Sequence, residues 1–458
     1  MTNLIQRRGS LAVMWLALAL AATPVLAADT LQWQTNRVSA DIKSGDLYQL
    51  LEQIAAKTGW HIYVEPDISR KVSAKFSDLP PGEALHMLFG DVNFALVPET
   101  NASPKLFVFR TTMKNATRLV RPAVAADIGK AKVIPNELIV RLKKGVSIDA
   151  LAKLLGAKVI GRIDSLNAYR LQFEDAAAAD AARAQLSSNP DVTSVDSNLA
   201  IDRPASPQLM GTTGPPPPDM TLKPPPADGR IIVGVVDTAM QPLCGDLNKF
   251  MLQPISVAGD AQLAPGDPSH GTAMAETLLQ SLQTMTKGST SVQILPVDVY
   301  GPNPTTSTFD VANGVVSAVN GGARIINMSL GSQGDSPFLH SVIQDVKKQN
   351  IPIFAAAGNQ PVTTPFYPAA YPEVTAVTAV DQGQLASYAN RGSFVSLGAP
   401  GTSVVCYDGA NYFVVGTSAS SAYVSGVAAG YMDANSSSVS QMQSFLQSSY
   451  GVQMAPGP

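Results

Sequence analysis

Four side chains far apart in the chain carry the groups needed to attack a carbonyl and stabilise what forms: Asp237, His270, Asn359 and Ser418. A serine hydroxyl is a poor nucleophile until a base removes its proton. His270 is the best base available. His61 and His86 lie in an earlier part of the chain, and His340 sits within a helical stretch, FLHSVI, where packing explains it. Asp237 closes the apolar run IIVGVVD. A carboxylate at the end of a buried strand is costly without a partner, and an imidazole that it orients and stabilises in the charged form would be one. Asn359 ends AAAGN, and a side-chain amide can donate a hydrogen bond to a developing oxyanion. Each residue also has a plain structural reading. Asp237 could cap a turn, His270 could be an ordinary surface histidine, Asn359 could complete a turn after Gly358, and Ser418 could cap a helix.

The elements around these residues say where the fold puts them. RIIVGVVDT, SVQILPVDVY, ARIINMSLG, IPIFAAAGN and VTAVTAVD are near-continuous apolar runs of strand length. HGTAMAETLLQSLQ, FDVANGVVSAVN and SPFLHSVIQDVKKQ read as helices between them. Such alternation predicts a doubly wound α/β fold, a parallel sheet covered on both faces. Sheets of this kind carry their functional residues at the carboxyl ends of the strands. Asp237 and Asn359 fall at such ends, and His270 opens a helix. Ser418 stands at the mouth of a helix running through Val424, Val427 and Ala428, where the helix N-terminus favours developing negative charge.

The strings IVGVVDTAM, HGTAMAETLL, AAAGN and GTSASSAYVSG, in that order, resemble the subtilisin-like serine proteases. The resemblance implies a serine endopeptidase that cleaves protein or peptide substrates through an acyl-enzyme. Asp237, His270 and Ser418 would be its triad, and Asn359 its oxyanion donor. It further implies that INMSLG, residues 326–331, lines the substrate cleft, and that SLGAPG, residues 396–401, precedes the nucleophile without acting. The sequence departs from the family pattern at Ala239, Ala419, Ser420 and Ala422. If position 239 requires a left-handed backbone, alanine there costs about 1–2 kcal/mol. An alternative from another class is an envelope scaffold whose protease fold no longer turns over. An esterase of the α/β-hydrolase type is excluded by the order Asp, His, Ser and by the lack of a nucleophile-elbow string. No cofactor is required. Relatives often bind structural calcium, but no acidic ligand cluster stands out.

Two small α+β domains are expected upstream. Residues 29–113 combine a helix carrying Leu47, Leu50, Leu51, Ile54 and Ala55 with strands WHIYVEP, KVSAKF, NFALVPE and KLFVFR and a helix opened by Pro80 and Pro81. With LPPGEALHMLF, this order resembles the short N-terminal domain of secretins and TonB-dependent receptors, and implies an outer-membrane or secretion-system partner. Residues 133–201 read as strand-helix-strand-strand-helix-strand, the ferredoxin-like arrangement. Ser147 would cap the first helix and Gly156 end it. The arrangement is similar to the propeptide of subtilisin-like proteases. Residues 202–228 are a proline-rich linker that stays extended, and 229–458 form the catalytic domain.

Residues 1–28 read as a signal peptide, with Arg7 and Arg8, an apolar stretch from Leu11 to Ala22, and small residues within Val25-Leu26-Ala27 that place cleavage after Ala27 or Ala28. The expectation is export to the periplasm or exterior of a Gram-negative bacterium, with no membrane span in the mature chain. The formal net charge is -3 with no sustained basic block, which argues against nucleic acid. Cys244 and Cys406 are the two cysteines. A disulfide and two buried thiols both fit an exported chain, because sequence does not give their separation.

Overall fold

The structure, a computed structural model, describes residues 30–454 apart from 35–36, 59, 67, 69, 98–103, 121–130, 210–216, 224, 227–229, 264–265 and 382. The signal-peptide assignment therefore lies outside the described residues. The chain divides into two compact units, Met1–Asp127 and Ile128–Pro458.

In the first unit the expected helix spans Leu47–Thr58 and buries Leu47, Leu50, Leu51, Ile54 and Ala55 in a core of its own. The second helix, Pro81–Phe89, has proline in its first turn, where the missing N–H costs nothing. A four-stranded sheet runs in the order Asn93–Val97, Lys105–Phe109, His61–Val64, Arg118–Val120. Its last strand takes the unit beyond residue 113. A second sheet, Thr30–Gln34, Arg37–Asp46 and Lys71–Leu79, contains two strands that the sequence reading did not anticipate.

The second unit opens with strands Val133–Leu142, Lys158–Ile163, Ala168–Gln172 and Val192–Asp202 and helices Ile148–Leu154 and Ala176–Ser187, in the anticipated order. Ser147 stands at the N-cap of the first helix but makes no side-chain capping bond. Asp175 caps the second by accepting the Ala178 N–H. The four strands pair antiparallel, with the fourth beside the first and the third between first and second. One face carries the helices over Leu138, Val140 and Leu171, with Leu186 of the second helix in the same core. Ile139, Ile163, Ala168 and Ile201, from the other face and its margin, join the core formed around helices Thr308–Asn320 and Pro337–Lys348. The fourth strand continues past the small sheet to pair with Thr305–Ser307. This subdomain is thus seated on the larger one.

The large sheet runs Ile255–Ser256, Val292–Asp298, Ile231–Asp237, Ile325–Met328, Ile353–Ala356, Thr375–Asp381, all parallel, with Gln384–Leu385 antiparallel at one end. Its two faces fill separate cores. Val233, Val235, Ile325 and Phe354 pack against helices His270–Met285 and Thr417–Asn435. Val236, Ile326, Ile353 and Ala355 pack against Thr308–Asn320 and Pro337–Lys348. Burial on both faces is why these strands read as continuous apolar runs.

The described parts of the proline-rich segment are docked on this unit. Gln208–Leu209 pairs with Phe413 and Tyr412, the Lys223 N–H donates to the Gly288 carbonyl, and Leu222 enters the core. Cys244 and Cys406 form a disulfide with Cα atoms 6.1 Å apart across 162 residues. Closing so long a loop restricts the unfolded chain, which stabilises the fold by roughly 4–5 kcal/mol in the chain-entropy model. Replacing both cysteines by serine is expected to lower the unfolding free energy by about that amount, measured by urea denaturation; an unchanged midpoint would show that the cross-link adds nothing.

Candidate active site

Asp237 is the last residue of its strand and has no exposed surface. The chain then turns through 238–241 and is stitched to the start of the His270 helix. Ser269 caps that helix by accepting the Thr272 N–H and donates its own hydroxyl to the Ala239 carbonyl. Thr238 Oγ1 accepts the Gly271 N–H, and Gln241 Oε1 accepts from Ser269 N and Thr272 Oγ1. A Cβ at position 271 would come within 2.3 Å of the Thr238 carbonyl oxygen, so the residue after His270 must be glycine for this approach. Ala239 lies outside the left-handed region. The strain that alanine would suffer there does not arise.

These contacts aim the imidazole at the carboxylate. His270 Nδ1 lies 2.8 Å from Asp237 Oδ1 and 3.0 Å from Oδ2. A carboxylate only accepts, so Nδ1 carries the hydrogen and Nε2 is left as the basic nitrogen. Asp237 Oδ1 also accepts the Thr238 N–H at 2.7 Å.

The Ser418 helix runs beside the His270 helix at very close range. A Cβ on Gly426 would lie 2.1 Å from the Leu278 carbonyl oxygen, and one on Gly430 would lie 3.1 Å from the Leu282 carbonyl oxygen. Both contacts keep a sequence offset of 148 (426 − 278 and 430 − 282). The helices are therefore parallel and in step, and two turns back the same offset brings Ser418 level with His270. Ser418 Oγ donates to the Ser329 carbonyl at 3.2 Å, while Ser329 Oγ donates to the Ser418 carbonyl at 3.0 Å. The helix is tied to the sheet below by Asn327, which has no exposed surface and accepts from Ser421 and Ser425 through Oδ1.

Asn359 follows the strand Ile353–Ala356, is exposed, and is held by Thr417. Its Oδ1 accepts the Thr417 N–H at 2.8 Å and the Thr417 hydroxyl at 3.0 Å. The same hydroxyl accepts the Gly358 N–H at 3.1 Å. With Oδ1 held in this way, Nδ2 is presented beside Gly416, where the φ of 145° and the 2.8 Å that would separate a Cβ from Nδ2 leave no room for a side chain. The Ser418 N–H lies in the first helical turn and has no intrahelical acceptor. Both groups thus lie at the mouth of the Ser418 helix.

Of the four sequence-selected residues, Asp237 bonds His270, Asn359 bonds Thr417 beside Ser418, and the helix register sets Ser418 level with His270. His340 does not join them: it bonds Glu373 at 2.8 Å and stacks on Tyr371. Sequence reasoning missed Thr417, Gln241, Ser329 and Asn327, which hold the four. Thr417 and Asn327 stand inside GTS and INMSLG, so a search for partners of the reacting groups could have found them.

The subtilase family pattern matches residues 228–454, and that of the fervidolysin N-terminal prodomain matches residues 121–198. Subtilisin Savinase of Lederbergia lenta is 32% identical over 186 residues, a match covering 38% of this chain and 69% of that protein. The chain belongs to the subtilase family. A thermostable alkaline protease of Halalkalibacterium halodurans is 36% identical over 186 residues, covering 38% of the subtilase described here and 52% of that protein. The thermophilic serine proteinase of a Bacillus strain is matched over 48% of its length, so this subtilase spans about half the length of these two curated relatives. The crystal structure of fervidolysin from Fervidobacterium pennivorans shares the fold, with a TM-score of 0.51 at 20% identity, covering 67% of this subtilase and 55% of that chain.

One further carboxyl lies on the His270 helix. Glu276 is buried, and its Oε1 accepts the Cys406 N–H at 2.8 Å and Gln280 Nε2 at 3.3 Å. Its Oε2 is buried with no partner among the described residues. Burial pushes this carboxyl up from 4.5 to about 7. Between those values the folded subtilase keeps a proton that the unfolded chain has lost, so stability falls as pH rises through the window and levels off above it. The raised value corresponds to a decline of about 3 kcal/mol. Glu276→Gln is expected to abolish that decline, read from urea midpoints at pH 5 and pH 8; an equal decline in the variant would assign it to another group.

Proposed function

We propose that this subtilase is an exported serine endopeptidase that hydrolyses peptide bonds in protein or peptide substrates. The observation that carries the reading is the Asp237–His270 pair lying level with Ser418 at the start of two helices packed in step. Ser418 Oγ attacks the substrate carbonyl as His270 Nε2 takes its proton. His270 returns that proton to the leaving amine, and Asp237 holds the imidazole and stabilises its charged form. Asn359 Nδ2 and the Ser418 N–H donate to the oxyanion of the tetrahedral intermediate. Water, activated by the same imidazole, then releases the acyl group. The cycle as proposed calls for no cofactor.

Residues 133–201 are proposed to assist folding and to hold the enzyme inactive until the chain is cut in 202–228. Three contacts support this. The Val192–Asp202 strand occupies the edge of Thr305–Ser307. Asn198 Oδ1 accepts the Phe309 N–H at the start of helix Thr308–Asn320. Arg170 forms a part-buried ion pair at 2.8 Å with Asp310 of that helix and another at 2.8 Å with Glu137. Retention in a Gram-negative envelope through residues 29–113 is the finer part of the reading. It rests on the resemblance of that unit to the secretin and TonB short domain, and the relatives from bacilli lend it no support.

Two measurements test the proposal. A fluorophosphonate is expected to label the purified protein, and Ser418→Ala to abolish the label; absence of labelling, in both the full chain and a form cut at the linker, would favour the inactive scaffold. Peptide hydrolysis by the intact chain is expected to be near background and to rise once the linker is cut. Full activity of the uncut chain would sink the inhibitory role.

A further inference from the structure

The sheet order fixes where each half of a substrate must lie. Asp237, and with it His270, stands at the end of one strand; Ser329 lies just past the next strand, Ile325–Met328, and Asn359 just past the one after, Ile353–Ala356. His270 delivers a proton to the leaving amine, so the leaving half lies on the His270 side. The acyl half therefore lies on the opposite side, over the crevice where the chains following Met328 and Ala356 separate. The side chain of the residue whose carbonyl is attacked is one bond from that carbonyl, and the crevice beside Ser418 is the space available to it.

That space is occupied. The walls of the crevice are Gly331 and Gly358, and the half-buried ring of Phe366 covers both. A Cβ at Gly331 would lie 2.5 Å from Phe366 Cε1, and a Cβ at Gly358 would lie 3.1 Å from Phe366 Cγ. The ring is not carried on a free loop. Ser332 and Tyr367 exchange both backbone hydrogen bonds, at 2.8 and 2.7 Å, and the Phe366 carbonyl accepts the Ala370 N–H at 2.8 Å. Those bonds hold the backbone on either side of the ring, so the ring leaves the crevice only by changing its own rotamer. The ring thus takes up the room that the two glycine walls leave.

We infer that Phe366 is a specificity-determining residue that restricts the residue on the acyl side of the scissile bond to small side chains, glycine, alanine or serine. The inference rests on the proposed endopeptidase reading and narrows it to a substrate class. Each surplus methylene in a closed apolar site typically changes the specificity ratio by about tenfold or more, so discrimination against phenylalanine or leucine is expected to be at least of that order.

The test uses peptidyl diphenyl phosphonates that differ only in the side chain next to phosphorus. In that reaction Ser418 Oγ bonds to phosphorus, phenoxide leaves, and His270 takes the hydroxyl proton, so no turnover is needed. On the full-length protein cut at the linker, the alanine probe is expected to react at least about tenfold faster than the phenylalanine probe. In Phe366→Ala the ratio is expected to fall by tenfold or to invert. A phenylalanine probe that reacts as fast as the alanine probe with the unmodified protein would overturn the inference, as would an unchanged ratio in folded Phe366→Ala. If that variant does not fold, the unmodified protein and Phe366→Leu, which keeps the bulk but not the planar ring, decide by the same ratio. Prior labelling by the plain fluorophosphonate separates the two failures. Without it the endopeptidase reading falls; with it, a wrong ratio removes only the assignment of Phe366.

Discussion

A carboxylate with no exposed surface at the end of a central strand is the constraint from which the rest of the catalytic unit follows. Burying such a charge is strongly unfavourable unless hydrogen bonds replace the lost water. Asp237 receives them from His270 Nδ1 and from the Thr238 N–H. Those bonds exist only if the helix carrying His270 starts at one particular place against the turn that follows Asp237. Gly271, Ser269, Thr238 and Gln241 all serve that docking. The geometry that could make His270 basic at Nε2 is thus the same geometry that makes the buried carboxylate tolerable.

The second constraint is steric. Gly426 and Gly430 let the Ser418 helix approach the His270 helix closely enough for backbone contact. At that distance a slip of one residue would drive side chains into the partner backbone, so the two helices share one register. Register, rather than any bond between Ser418 and His270, brings the two N-termini together. Thr417 then extends the alignment to the next strand by holding Gly358 and Asn359. Three strand ends and two helix starts are locked by contacts that do not themselves take part in the chemistry.

The large sheet was legible because strands buried on both faces leave uninterrupted apolar runs, and because the four reacting groups sit in short strings whose order is informative. The strand Arg37–Asp46 was not. Its inward residues Val38, Ala40 and Ile42 alternate with Ser39 and Asp41, but the small central alanine weakens the pattern. Glu276 was invisible for a different reason. It reads as an ordinary polar helix residue, and its burial depends on the hairpin bearing Cys406, 130 residues later, closing over it. The pairing of Cys244 with Cys406 likewise depended on a distance that only the folded chain possesses. In the described part of the proline-rich segment, Gln208–Leu209 joins a sheet. Composition gave no hint that Leu222 would be used as core.

The position of the disulfide in the connectivity has a consequence for what a single cut does. Both cysteines lie after the proline-rich segment, and the chain has no others. A break anywhere in 203–228 therefore divides the molecule into two pieces with no covalent link between them. The upstream piece carries both the subdomain seated on helices Thr308–Asn320 and Pro337–Lys348 and the separate first unit. Whatever surface the first unit binds, the catalytic piece would be free of it as soon as the seated subdomain dissociates. Loss of the seated subdomain and loss of the first unit are then one event, governed by the noncovalent contacts that the subdomain and any attached part of the linker, such as Gln208–Leu209 and Leu222, make with the catalytic piece.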